Sequence, residues 1–158
     1  MLSTATTAAT AFGIAGSATA ATAYLGSLYT QQSVQSPWYA RVRPAFAPPN
    51  WVFPVVWTFL YIALTAAFGL SILRDTGTVA ILHILNLALN IAWCRTFFGK
   101  QELALALIIL VGNLGVALAI AFATSSSIVR YLIVPYIAWL SFATALNVGA
   151  YRKNKTPS

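Results

Sequence analysis

Residues able to do acid–base, nucleophilic or metal chemistry are scarce in this chain, which has one histidine, one cysteine and two acidic residues among 158. A lone cysteine, Cys94, excludes an internal disulfide and any cysteine-built metal site, and reads as a small apolar packing residue near a helix end. His83 and the carboxylates form no general acid–base, nucleophile or metal constellation, so hydrolase or ordinary oxidoreductase chemistry is not expected. Tryptophan is the informative residue type. Between Asn50 and Tyr61 an aromatic cluster follows Pro48-Pro49 and opens a long uncharged segment. A lipid-facing span needs only leucine and valine, whereas indoles on one helical face suit stacking on a flat, apolar ligand.

Spacing groups these residues into faces. Phe53, Trp57, Tyr61 and Thr65 recur every four residues and share one helical face. His83, Asn86, Asn90, Trp93 and Phe97 fall on a second stripe, and Trp139, Ala143 and Asn147 on a third. Amides and a histidine on one stripe are expected to face the bundle interior, because lipid offers them no partner. Trp57, Trp93 and Trp139 read as pocket residues. Trp38 and Trp51, near a predicted membrane surface, suit an interfacial belt as well as a pocket.

The elements that must carry these faces follow from composition. The chain is 59% hydrophobic and 7% charged, with mean hydropathy +0.79, against about 25% charged in soluble domains. It reads as an all-α integral membrane protein, a single domain over 1–158. Five segments are long enough to cross a hydrocarbon core of about 30 Å: roughly 7–29, 51–73, 78–98, 102–123 and 128–150. Only the loop 30–50 is sizeable. Its prolines, Pro37, Pro44, Pro48 and Pro49, disfavour helix through much of it and make it a semi-rigid lid. Asn50 is placed to cap the second span. Pro135 breaks one backbone bond of the fifth and is expected to bend it.

The first span is rich in Ala, Thr and Gly. Small residues around Ala18-Thr19-Ala20 raise a cleaved signal peptide as the rival reading, but no basic segment precedes them, and a retained helix is expected. An organellar transit peptide, typically rich in Arg, is disfavoured. Gly13, Ser17 and Ala21 form a small-residue stripe, read as a packing surface within the bundle. Gly112, Asn113 and Gly115 mark a close contact or a polar spot in the fourth span.

Nine Lys and Arg against two acids would suggest nucleic acid in a soluble protein, but here their distribution sets topology. Arg41, Arg43, Arg95, Lys100, Arg152, Lys153 and Lys155 fall on one side, and Arg74 and Arg130 on the other. The positive-inside bias then puts the first loop and the C-terminus in the cytosol.

Five groups of residues carry a resemblance, in order along the chain. They are Trp38-Tyr39, the run Pro44 to Phe53, the segment Trp57 to Tyr61, Leu89 to Trp93 with Phe97-Phe98-Gly99, and Pro135 to Trp139 continuing through Phe142 to Asn147. Together they resemble the translocator protein family, also called tryptophan-rich sensory proteins or peripheral benzodiazepine receptors. The resemblance covers four of the five spans and the first loop. It implies a five-helix bundle, often dimeric, that binds porphyrins such as protoporphyrin IX and haem, sterols in animal members, and benzodiazepine-type ligands. Members occur in bacterial envelopes, mitochondrial outer membranes and secretory-pathway membranes.

By matching motif positions, Trp57, Asn90, Trp93, Trp139 and Ala143 would line a pocket closed by a lid carrying Tyr39 and Phe46, with Trp51, Phe53, Tyr61 and Phe142 as further ligand-binding residues. Arg41 and Arg43 are candidate partners for porphyrin propionates, or topology determinants only. Val148, Tyr151 and Lys153 fit a cholesterol-contact pattern as candidate sterol residues. The chain departs from the family at Ile108-Ile109-Leu110, where many members carry an acid, at Arg95, often proline, and at Asn86, often glutamine. The expected function is a membrane receptor or sensor of porphyrin, and possible sterol, that controls tetrapyrrole level or stress signalling. No cofactor is required, and the expected partners are the bilayer, the ligand and a second copy, not nucleic acid. Two alternatives stand beside it: transport of porphyrin or sterol, and light-dependent porphyrin breakdown, the one catalytic reading. Against a secondary carrier, the chain shows no inverted repeat and no intramembrane ion pair.

Overall fold

Short polar turns between long apolar runs leave helices little choice of where to stop, and the computed structural model, which describes residues 4–155, is built of helices alone among those residues. They are α1 (Thr4–Ser33), α2 (Pro37–Val42), α3 (Val52–Arg74), α4 (Gly77–Cys94), a π-turn (Arg95–Gly99), α5 (Leu103–Ala123) and α6 (Ser127–Lys155). By length and composition four segments can cross a membrane: 52–74, 77–99, 103–123 and 127–155. The Ala- and Thr-rich α1 is long enough at 30 residues but is not among these four.

The five long helices close a ring in the order α1, α3, α6, α5, α4 and back to α1. Leu64, Leu110, Ile133, Tyr136 and Leu140 fill the centre. Phe59, Ile62, Ile108 and Phe122 face outward, an apolar exterior that only a lipid environment tolerates over so wide a surface. At Gly69 of α3 an added Cβ would overlap the Phe12 ring of α1, so the missing side chain is what lets Phe12 lie against that helix.

The two turns at one end are tied by Asp75. Its carboxylate accepts from Thr124 Oγ1 at 2.8 Å, Ser125 N at 2.9 Å and Ser125 Oγ at 2.9 Å. Partial burial pushes the Asp75 carboxyl up, but these hydrogen bonds outweigh it and hold the group below the usual carboxylate range. Arg130 caps the end of α5 by donating to Ala121 O and Thr124 O. The opposite end carries the other seven cations. There Ser33 donates to Phe98 O at 3.2 Å, and Lys153 Nζ to Arg43 O at 2.9 Å.

Several sequence expectations change. The small-residue stripe of Gly13, Ser17 and Ala21 does not pack inside the bundle: all three are exposed, and no atom approaches a Cβ placed at Gly13. The buried face of α1 is instead Ala11, Ala15, Thr19, Thr22 and Gly26. Both faces offer small residues, so their size alone could not distinguish them. Within the loop 30–50, α1 runs on to Ser33 and α2 forms. Pro37 starts α2, where its missing N–H is harmless, and the Ser36 hydroxyl accepts from Tyr39 N at 3.1 Å. Asn50 does not cap α3, whose cap residue is Trp51. Its amide reaches back toward Val34 O at 3.5 Å. Arg152, Lys153 and Lys155 belong to the last turns of α6, where cations suit the helix dipole. Of the α5 motif, Asn113 is buried, while Gly112 and Gly115 face open space.

Candidate ligand-binding site

The inward stripe of α4 is a polar spine in which successive side chains bond different neighbours. His83 Nε2 lies 3.2 Å from Ser71 Oγ of α3, and its ring stacks on Phe68. Asn86 donates to Asn113 Oδ1 of α5 at 2.6 Å, and Asn113 donates to the Tyr136 hydroxyl of α6 at 3.2 Å. Asn90 points its amide at the Tyr61 hydroxyl of α3, 3.5 Å away. Trp93 Nε1 donates to Asn147 Oδ1 of α6 at 3.2 Å. In low dielectric such pairs offset much of the penalty of burying polar groups and fix the register of the helices, with Asn86 Oδ1 left unpaired.

Toward the end that carries α2 the spine gives way to aromatic rings and open volume. A chamber of about 320 Å³ lies between α1, α3 and the C-terminal end of α4. Ala23, Gly26, Ser27, Thr30 and Gln31 of α1 form one wall, and Phe53, Trp57 and Tyr61 of α3 form another. Trp93, Cys94 and Phe98 are the third, with Tyr39 of α2 above. A second chamber, of about 40 Å³, lies toward α6, with Arg43, Pro44, Trp139, Ala143 and Asn147 in its walls.

Tyr39, Phe53, Trp57, Trp93 and Phe98 belong to both chambers and divide them. Trp57 stacks on Tyr61 with centroids 5.3 Å apart and meets Trp139 edge-on at 6.4 Å. Phe53 meets Trp139 edge-on at 5.8 Å. Each such pair contributes about 0.5–1.5 kcal/mol beyond its area, which makes the partition stiff. Burial pushes the Tyr39 phenol above its usual range, with the Arg43 guanidinium partly opposing, so it stays neutral.

Of the candidate residues, the structure thus brings Tyr39, Phe53, Trp57 and Trp93 to both chambers, Tyr61 to the larger, and Trp139 and Ala143 to the smaller. Asn90 is 1% exposed and lines neither. Phe142 sits behind Trp139, centroids 5.7 Å apart. Trp51 and Phe46 are exposed, at 68% and 57%. Arg43 donates from Nη2 to Ala47 O at 3.0 Å and Pro48 O at 2.6 Å, bracing its own loop, while Arg41 is exposed. Tyr151 and Val148 are half-buried. Sequence reasoning missed the α1 wall. Its small residues, Ala23 and Gly26, were the available signal: Ala23 leaves room that a leucine would fill, and Gly26 lets Cys94 come close.

The profile of the TspO/MBR family matches residues 14–152. The chain belongs to the TspO/MBR family.

Relatives in this family include a tryptophan-rich protein TspO of Archaeoglobus fulgidus, 37% identical over 137 residues, covering 83% of this chain and 88% of that protein. A tryptophan-rich sensory protein of Cereibacter sphaeroides is 37% identical over 121 residues, 74% of this chain and 77% of the other. The translocator protein of Homo sapiens is 35% identical over 128 residues, 74% and 75% of the two chains. With four helices apolar enough to span a bilayer, this TspO/MBR member is an integral membrane protein.

Proposed function

We propose that this TspO/MBR protein is a membrane receptor or sensor that holds a flat tetrapyrrole, such as protoporphyrin IX or haem, against the aromatic side chains that divide the two chambers and so controls tetrapyrrole level or stress signalling. One observation carries the reading: Tyr39, Phe53, Trp57 and Trp93, from three helices, converge on a single partition beside about 320 Å³ of open volume, within the size range of small-molecule pockets. A ligand already in lipid gains little from leaving water, so selectivity rests on shape and stacking against these rings.

The wider arrangement supports the same reading. The α1 hydroxyls of Thr19, Thr22 and Thr30 donate to carbonyls of their own helix, which lets a polar helix serve as the fifth span. The segment 34–51 acts as the lid, braced by Arg43 and by the Lys153 bond. Seven cations at the lid end favour, through the positive-inside bias, a cytosolic side for it and the C-terminus. The outward stripe of Gly13, Ser17 and Ala21 suits a second copy. A sterol contact at Val148, Tyr151 and Lys153 has less behind it, because Lys153 is held by Arg43 O and Lys155 lies over the Tyr151 ring.

Titration of the detergent-solubilised protein with protoporphyrin IX, read by the ligand's own absorbance, tests the proposal. Saturable binding is expected, weakened about tenfold, or about 1.4 kcal/mol, in Trp57→Leu and in Trp93→Leu, and within about twofold of wild type in Trp51→Leu. Linear uptake equal to that of empty micelles, or equal effects of the three substitutions, would overturn it.

A further inference from the structure

No charged side chain lines the larger chamber. Its polar groups are Ser27, Thr30, Gln31, Asn50, the Tyr39 and Tyr61 hydroxyls and the indole N–H groups of Trp57 and Trp93, the last already donated to Asn147; none of them carries a charge. Ser27 has already donated its proton to Tyr24 O at 2.7 Å, and Thr30 shares its own between Gly26 O and Ser27 O, both at 3.3 Å. A hydroxyl has one proton to give, so neither can serve a carboxylate. Arg43 lies in the walls of the smaller chamber only, with Nη2 engaged by two loop carbonyls. Its buried Nε has no partner, and its guanidinium is the cation in those walls. That space, about 40 Å³ against about 320 Å³, admits water-sized groups and not a macrocycle.

The polar groups are also unevenly placed. Gln31 and Asn50 are exposed, at the end of α1 and before the start of α3, whereas Tyr61, Trp93 and Cys94 form the interior wall. A carboxylate buried there without a cation is heavily penalised, but one left between Gln31 and Asn50 keeps its solvation.

Resting on the tetrapyrrole reading, we propose that the ring enters the larger chamber edge-first between the C-terminal end of α1 and the start of α3, with its carboxylates left outside at the Gln31–Asn50 rim. The chamber then selects a macrocycle with one apolar edge and is indifferent to charge on the opposite edge. Porphyrins with acidic groups on every edge are excluded.

Three ligands test this on the full chain in neutral detergent: protoporphyrin IX, its dimethyl ester, and an octacarboxylate porphyrin. The diacid and the ester are expected to bind within about threefold of each other, and the octacarboxylate at least about thirtyfold more weakly. Ala23→Phe, which fills the chamber, is expected to weaken both good ligands about tenfold or more. Should that variant not fold, as judged by size-exclusion profile and thermal melt, Ser27→Leu replaces it. An ester at least about tenfold weaker than the diacid would place the carboxylates against a cation and overturn the orientation, leaving the tetrapyrrole reading intact. Unchanged binding in a folded chamber-filling variant would overturn the location. Failure of all three ligands to bind saturably would remove the tetrapyrrole reading itself and this inference with it.

Discussion

Asn147 of α6 receives the indole N–H of Trp93 on its Oδ1 at 3.2 Å and donates from its Nδ2 to Leu103 O at 2.9 Å. One buried amide therefore joins α4, α6 and the first turn of α5, directly below the aromatic partition. With its N–H turned to Asn147, Trp93 offers a ligand ring surface and no hydrogen bond.

Replacing Asn147 by leucine removes both bonds and leaves the indole N–H unsatisfied. The expected loss is about 1–3 kcal/mol of stability, together with weaker ligand binding through a less ordered Trp93. A double-mutant cycle with Trp93→Phe checks this. Coupling in ligand affinity beyond additivity is expected, and strictly additive effects would show that Asn147 does not position Trp93.

The segment 34–51 is seated on α6 by a glycine. A Cβ at Gly149 would lie 2.8 Å from Pro44 Cγ and 3.3 Å from Phe46 Cε1. Pro44 is rigid, so Gly149→Val is expected to lift this segment while α6 stays helical. Limited proteolysis between residues 43 and 50 should accelerate about threefold or more, with little change in far-UV circular dichroism. Unchanged cleavage would mean that the seat tolerates the larger side chain.

Asp75 ties the two turns at the far end and makes stability depend on pH. Its folded pKa lies below the unfolded value, so its contribution is fully present above the unfolded pKa, near 4, and is lost as pH falls through the lower folded value. Asp75→Asn should cost about 1 kcal/mol at pH 7, and the gap between variant and wild type should close below about pH 4. Thermal melts in detergent across that range measure it, and parallel curves would exclude Asp75 as the titrating group.

Much of the bundle was legible along the chain because the physics involved is local. Long apolar stretches, each inside a helix of 21 to 29 residues, mark the four spans, and three-to-four spacing put His83, Asn86 and Asn90 on one buried face of α4. Trp57 and Trp93 stood out because an indole is larger than a lipid-facing helix requires. The cation distribution separated the two ends for the same reason: it depends only on where the charges fall between spans.

Partners depended on the closed ring, which no local pattern encodes. Asn90 could have faced a ligand, but α3 lies beside it and brings the Tyr61 hydroxyl within 3.5 Å. Trp139 looked equivalent to Trp57, yet the edge-on contact between them turns it toward the smaller chamber. Gly13 and Gly26 are the same residue type on one helix, and only the position of α4 makes Gly26 the close one, where a Cβ would meet Cys94 Sγ at 3.3 Å. Helical period and hydropathy follow from each residue and its near neighbours, so the sequence displays them directly. Which inward face meets which, and where volume stays open, follows from how five helices fill space together.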